Sequence, residues 1–142
     1  MNGALHVDTT GHGPPLVLLH GWAMHSEMWG PLLPRLAQRF RVHAVDLPGH
    51  GLSAPLQAFT LDGVVAVLAA AFPAGTHPLT VLGWSLGGLV AMRWALGAPA
   101  RVGAEARALC TLAAAAFDEV AREVVELARA VRVVRLEAAE AF

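Results

Sequence analysis

Cys110 is the only cysteine in the chain, so an internal disulfide and a cysteine-built metal site are both excluded. No apolar run approaches the roughly 20 residues needed to cross a bilayer. The longest, Val64 to Phe72, is closed by Pro73. The N-terminus has no basic stretch followed by an apolar core, so no secretory signal is expected. Excess charge is missing too: 10 basic residues face 11 acidic ones, for a net charge of −1. The basic residues are scattered, which argues against nucleic acid or a membrane as partner. Low-complexity linkers and internal repeats are absent. These absences together leave the expectation of a soluble cytoplasmic chain.

What is present is length enough for one domain. A chain of 142 residues buries about two thirds of its unfolded surface on folding. Its hydrophobic fraction of 56% exceeds the usual ~45–50%. Much of the excess is alanine, a strong helix former that adds little apolar surface.

The order of elements is legible from period and punctuation. Leu5 to Thr10 reads as a short strand, and the Gly11-His12-Gly13-Pro14-Pro15 segment as a turn. Leu16 to His20 is a compact apolar run, the mark of a strand buried on both faces. Ser26 to Phe40 reads as a helix with Leu32, Leu33, Leu36 and Phe40 on one face, its start disturbed by Pro31 and Pro34. Arg41 to Asp46 is a second central strand. Thr60 caps a helix that runs to Phe72. Leu79 to Leu82 is a third strand, Leu86 to Leu96 a helix stopped by Gly97 and Pro99, and Arg107 to Ala113 a fourth strand. Asp118 to Leu136 reads as an amphipathic helix with Val120, Val124, Leu127, Val131 and Val134 on one stripe. Strands alternating with helices predict an α/β fold with a mostly parallel sheet flanked by helices.

Chemistry enters at Gly83-Trp84-Ser85-Leu86-Gly87. Gly-x-Ser-x-Gly between an apolar strand and a helix is a nucleophile elbow. Ser85 would sit in a strained turn, and Gly83 and Gly87 would leave room for it. The helix dipole and the backbone N–H of Leu86 would face the same space, where an oxyanion can bind. His20-Gly21-Trp22 leaves the first central strand, where a sheet of this kind supplies its second oxyanion donor. By position that donor is the Trp22 N–H, and the indole would line the acyl site and bind substrate together with Leu86. His20 is expected to shape this loop by hydrogen bonds and not to move protons. Asp46-Leu47-Pro48-Gly49-His50-Gly51-Leu52-Ser53 reads as a tight loop whose Asp46 and Ser53 bond its own backbone. Trp29, Trp84 and Trp94 are expected to pack, Trp84 beside the nucleophile. His25, His43 and His77 are given no chemical role.

The runs Val17-Leu18-Leu19-His20-Gly21-Trp22, Val45-Asp46-Leu47-Pro48-Gly49-His50-Gly51 and Leu82-Gly83-Trp84-Ser85-Leu86-Gly87-Gly88-Leu89-Val90-Ala91 resemble the α/β-hydrolases in order and spacing. The tryptophans of Gly-Trp-Ser-Leu-Gly-Gly and His-Gly-Trp are most similar to the carboxylesterase family of biotin synthesis. The resemblance covers roughly Met1 to Val102. It implies a serine carboxylesterase acting on a small ester or an acyl-carrier-protein-linked ester, such as the methyl ester of pimeloyl-acyl-carrier protein. Ser85 would attack the carbonyl, and no metal or organic cofactor would be needed.

The family places its triad acid and then its triad histidine after the serine. This chain has no histidine beyond His77. The expected division is therefore 1–103, the N-terminal half of a hydrolase core, and 104–142, a divergent strand and amphipathic helix, with the lid and last strands missing. Asp118 has no histidine to orient, and His25 and His50 lie on loops that sequence alone does not place. The expectation is an impaired esterase. The alternatives are a non-catalytic truncated chain or pseudoenzyme, and a hydrolase of other small esters or lactones.

Overall fold

The computed structural model describes residues 4–73 and 79–97 in full, and the backbone of 107–111. The strands are β1 (Val7–Thr10), β2 (Pro15–Leu19), β3 (Arg41–Val45), β4 (Thr80–Trp84) and β5 (Arg107–Thr111). The helices are α1 (Leu33–Leu36), α2 (Leu61–Ala71) and α3 (Leu86–Gly97). They build one sheet in the order β1-β3-β2-β4-β5. β2 runs parallel to β3 and β4, and β4 parallel to β5, while β1 lies antiparallel on β3. The mostly parallel sheet expected from the alternation of elements is thus the observed one.

β2 explains the architecture. Its side chains alternate between faces, yet Leu16, Val17, Leu18 and Leu19 are all buried. Both faces must therefore be covered. Val17 and Leu19 pack with Val64 and Leu68 of α2 and with Val90, Ala91 and Trp94 of α3. Leu16 and Leu18 pack on the other face with Trp29, Leu32, Leu36 and Leu82. Each such fully buried side chain is worth about 1.5–3 kcal/mol of transfer free energy.

α2 begins where its cap dictates. The Thr60 hydroxyl accepts the Gly63 N–H at 3.0 Å, satisfying one of the orphan donors of the first turn. It ends before Pro73, which disfavours helical backbone at the preceding Phe72; that residue is at φ −115°, ψ 74°.

One expectation is corrected. The single helix from Ser26 to Phe40 is two pieces, a 3-10 turn over Ser26–Trp29 and the one-turn α1. Pro31 and Pro34 supply no N–H, and each ring conflicts with the carbonyl four residues back. A continuous helix is therefore broken at Gly30. β1 also starts at Val7 and not at Leu5. The expected Asp118–Leu136 helix, Asp118 and His77 lie outside the described residues, as do the last two residues of the strand expected over Arg107–Ala113.

Candidate active site

Register brings the loops together. Leu19 pairs with Val45 on one side and Gly83 on the other, so β3, β2 and β4 end level. Their C-terminal loops emerge side by side, at the edge where open α/β sheets take ligands.

Ser85 occupies the turn between β4 and α3 with φ at 52°, a left-handed conformation that costs an L-residue roughly 1–2 kcal/mol. Its neighbours leave no alternative. A β-carbon on Gly83 would strike the backbone of Gly87 and Gly88, and one on Gly87 would strike the Leu19 carbonyl and lie 2.7 Å from the His20 oxygen. The turn is pressed against the end of β2, which only glycine at both positions permits. The Ser85 carbonyl accepts the N–H groups of Gly88 and Leu89 at 2.8 and 3.2 Å, capping the start of α3. The Leu86 N–H stands at the positive end of that helix, beside an exposed serine. Among the described residues no side chain hydrogen-bonds the Ser85 hydroxyl.

The His20-Gly21-Trp22 loop lies against this turn. A β-carbon on Gly21 would sit 3.4 Å from the Ser85 Cβ and 3.1 Å from Cδ1 of Trp84. His20 is fully buried. Its Nε2 accepts the Leu47 N–H at 2.9 Å, and its Nδ1 lies 2.7 Å from the Gly21 carbonyl oxygen. Burial lowers its pKa below the ordinary value, with the charge of nearby His50 adding to that and the Gly21 carbonyl opposing it. The ring therefore works as a neutral brace, as its place in the sequence suggested.

Asp46 braces the next loop. Its carboxylate accepts the Ser26 N–H at 2.6 Å and the Leu52 N–H at 2.9 Å. Burial pushes its pKa up, but the N–H groups of Leu52 and Ser26 and the Ser26 hydroxyl outweigh it, and the net shift is down. The Ser53 hydroxyl donates to the Asp46 carbonyl at 2.6 Å and accepts the His6 N–H at 2.8 Å. The loop's own bonding was legible in sequence; the reach of Asp46 to Ser26, which ties it to the loop after β2, was not. Gly51 carried a signal: at φ 52° it presses on the Asp46 carboxylate where a β-carbon would collide.

Trp22 is not a core residue. It is 66% exposed, with its ring edge-on to His50 at 5.2 Å and to Phe59 at 5.8 Å between centroids. His50 in turn stands 5.1 Å from the His20 ring. Sequence reasoning did not find Phe59, whose place beside Trp22 depends on a loop with no periodic pattern. Trp29 and Trp94 are buried and Trp84 packs on the Trp29 cluster, as expected. His43 belongs to the sheet, with its Nδ1 2.9 Å from the Thr9 hydroxyl, and His25 is exposed at the start of the 3-10 turn.

The sequence profile of the Alpha/beta hydrolase family matches residues 16–141. The chain is 54% identical over 99 residues to the pimeloyl-[acyl-carrier protein] methyl ester esterase of Nitrosomonas europaea, covering 70% of this chain and 38% of that protein. It is 48% identical over 114 residues to the enzyme of the same name from Xanthomonas campestris pv. campestris, covering 78% and 40%. Among solved structures it is similar to naproxen esterase (carboxylesterase NP) from Bacillus subtilis, at a TM-score of 0.62 and 31% identity, over 70% of this chain and 37% of that one. The chain thus spans about two fifths of the length of the curated relatives it matches.

Proposed function

Because this chain belongs to the alpha/beta hydrolase family, we propose that it carries the nucleophile and oxyanion hole of a serine carboxylesterase. Ser85 is the nucleophile in this reading. The backbone N–H groups of Trp22 and Leu86 hold the oxyanion that forms when its hydroxyl attacks an ester carbonyl. Residues 1–103 make up the N-terminal half of the hydrolase core, and 104–142 a divergent segment. The observation that supports the reading best is the exposed Ser85 at φ 52°, wedged by Gly83 and Gly87 against the end of β2. The names of its relatives point to the methyl ester of pimeloyl-acyl-carrier protein as substrate. Attack releases methanol and leaves an acyl-enzyme that water then cleaves.

A serine hydroxyl is a weak nucleophile without a base. All seven histidines precede Ser85, and none of the described ones bonds its hydroxyl. We therefore expect turnover by these 142 residues to be slow. In a well-studied protease, loss of a triad member leaves about 10³–10⁴-fold over water. The same observation favours a second reading, in which the chain binds acyl esters without hydrolysing them. Hydrolysis of p-nitrophenyl butyrate, compared between the wild-type chain and Ser85→Ala, separates the two. A Ser85-dependent rate above background supports the esterase, and identical rates with measurable ester binding support the second reading.

A further inference from the structure

The Trp22 N–H and the Gly21 carbonyl belong to one peptide plane. The described residues contain no cis peptide bonds, so the two groups point in opposite directions. Whatever holds the carbonyl therefore aims the N–H. Two donors meet at that oxygen: the Met24 N–H at 3.2 Å and Nδ1 of His20 at 2.7 Å.

The tautomer follows from the partners. The Leu47 N–H can only donate, so Nε2, at 2.9 Å from it, carries the lone pair. The proton of the neutral ring then sits on Nδ1, facing the Gly21 oxygen, which can only accept. The ring is fully buried, which favours this uncharged form. A hydrogen bond to a carbonyl also polarises its amide, so the N–H across the plane becomes a stronger donor.

Resting on the reading of Ser85 as nucleophile and the Trp22 N–H as oxyanion donor, we infer that His20 is the positioning residue of the oxyanion hole. It anchors to β3's loop through Leu47, and it aims and polarises the Trp22 N–H through the Gly21 carbonyl. It touches neither substrate nor Ser85 in this role. Its two ring nitrogens have separable duties, one holding the ring and the other holding the peptide.

That separation makes the test. Asn at position 20 puts an N–H near the place of Nδ1 and retains the bond to Gly21. Gln puts its oxygen near the place of Nε2 and retains only the bond from Leu47. Ser85 is labelled with a p-nitrophenyl ethylphosphonate and followed by intact mass in the wild-type chain, His20→Asn and His20→Gln. Labelling by His20→Gln is expected to fall by about tenfold to a hundredfold, short of the full loss of an oxyanion donor. His20→Asn is expected to recover most of that loss, although it lacks the bond that anchors the loop. The Trp22 amide nitrogen resonance is expected to move upfield in His20→Gln and to return toward wild type in His20→Asn. Equal labelling of the two variants with an unmoved Trp22 resonance would overturn the inference and leave Ser85 a nucleophile. No labelling of the wild-type chain would overturn the hydrolase reading itself, and the role of His20 with it. Should the variants fail to fold, the wild-type ring decides. Its nitrogen resonances are expected to show Nδ1 protonated and Nε2 bare, and the reverse tautomer overturns the inference.

Discussion

A β-carbon on Gly87 would collide with the carbonyl oxygen of Leu19, so the first turn of α3 is packed directly against the last residue of β2. Gly87→Ala forces either the helix or the strand to move. The expected loss is about 1–3 kcal/mol, the range for overpacking a close contact, read as a lower urea midpoint. Phosphonate labelling of Ser85 should fall as well, because the displaced helix carries the Leu86 N–H with it.

Ser85 itself stores strain. Glycine at φ 52° escapes the roughly 1–2 kcal/mol cost of a left-handed L-residue, against an unfolded-chain entropy penalty of about 0.4–1 kcal/mol. Ser85→Gly is therefore expected to stabilise the chain by about 0.5 kcal/mol while abolishing any Ser85-dependent hydrolysis. Ser85→Ala should abolish hydrolysis equally without that gain. Thermal melts of the two variants read the difference.

Acid should destabilise the fold in two windows. His20 and His43 are held below an ordinary value near 6.5, chiefly by burial. The unfolded chain therefore binds protons there that the folded chain refuses. Stability is full above that pH and falls as pH drops through it toward the folded values. Asp46 is held below 3.8. Its contribution is full above that value and is lost as pH falls through it. Urea midpoints between pH 8 and pH 3 should decline in both windows, and replacing His20 and His43 together by Gln should flatten the first.

Trp22 contributes a backbone group and a side chain that can be separated. Trp22→Ala keeps the N–H and removes a ring that is 66% exposed. Stability should change by no more than about 0.5–1 kcal/mol. In ester assays the substitution should raise KM for longer acyl chains more than it lowers kcat. An equal fall of kcat for all chain lengths would show instead that the ring positions the loop.

Sequence carried most of this fold because the signals are local. Leu16 to Leu19 had to be a doubly covered strand, Thr60 had to cap, and Gly83 and Gly87 had to flank a turn no other residue allows. The helix over Ser26–Phe40 was over-read because the apolar spacing of Leu32, Leu36 and Phe40 is helical although Pro31 and Pro34 interrupt the backbone beneath it. The loops were the harder part. Asp46 on Ser26, His20 on Leu47, and Trp22 on Phe59 are meetings between segments distant in sequence, and they follow from strand register, which no single segment encodes.

β2 lies between partners made at very different times. Leu16 pairs with Val42 on one side and with Thr80 on the other, and its inner face is closed by α3, later still. During synthesis the strand can dock on β3 early, but it then waits with one edge open until β4 leaves the ribosome. An apolar, unpaired strand edge is what aggregation recruits. The middle of the five described strands is thus one whose second edge stays open in the nascent chain while the residues up to β4 are made.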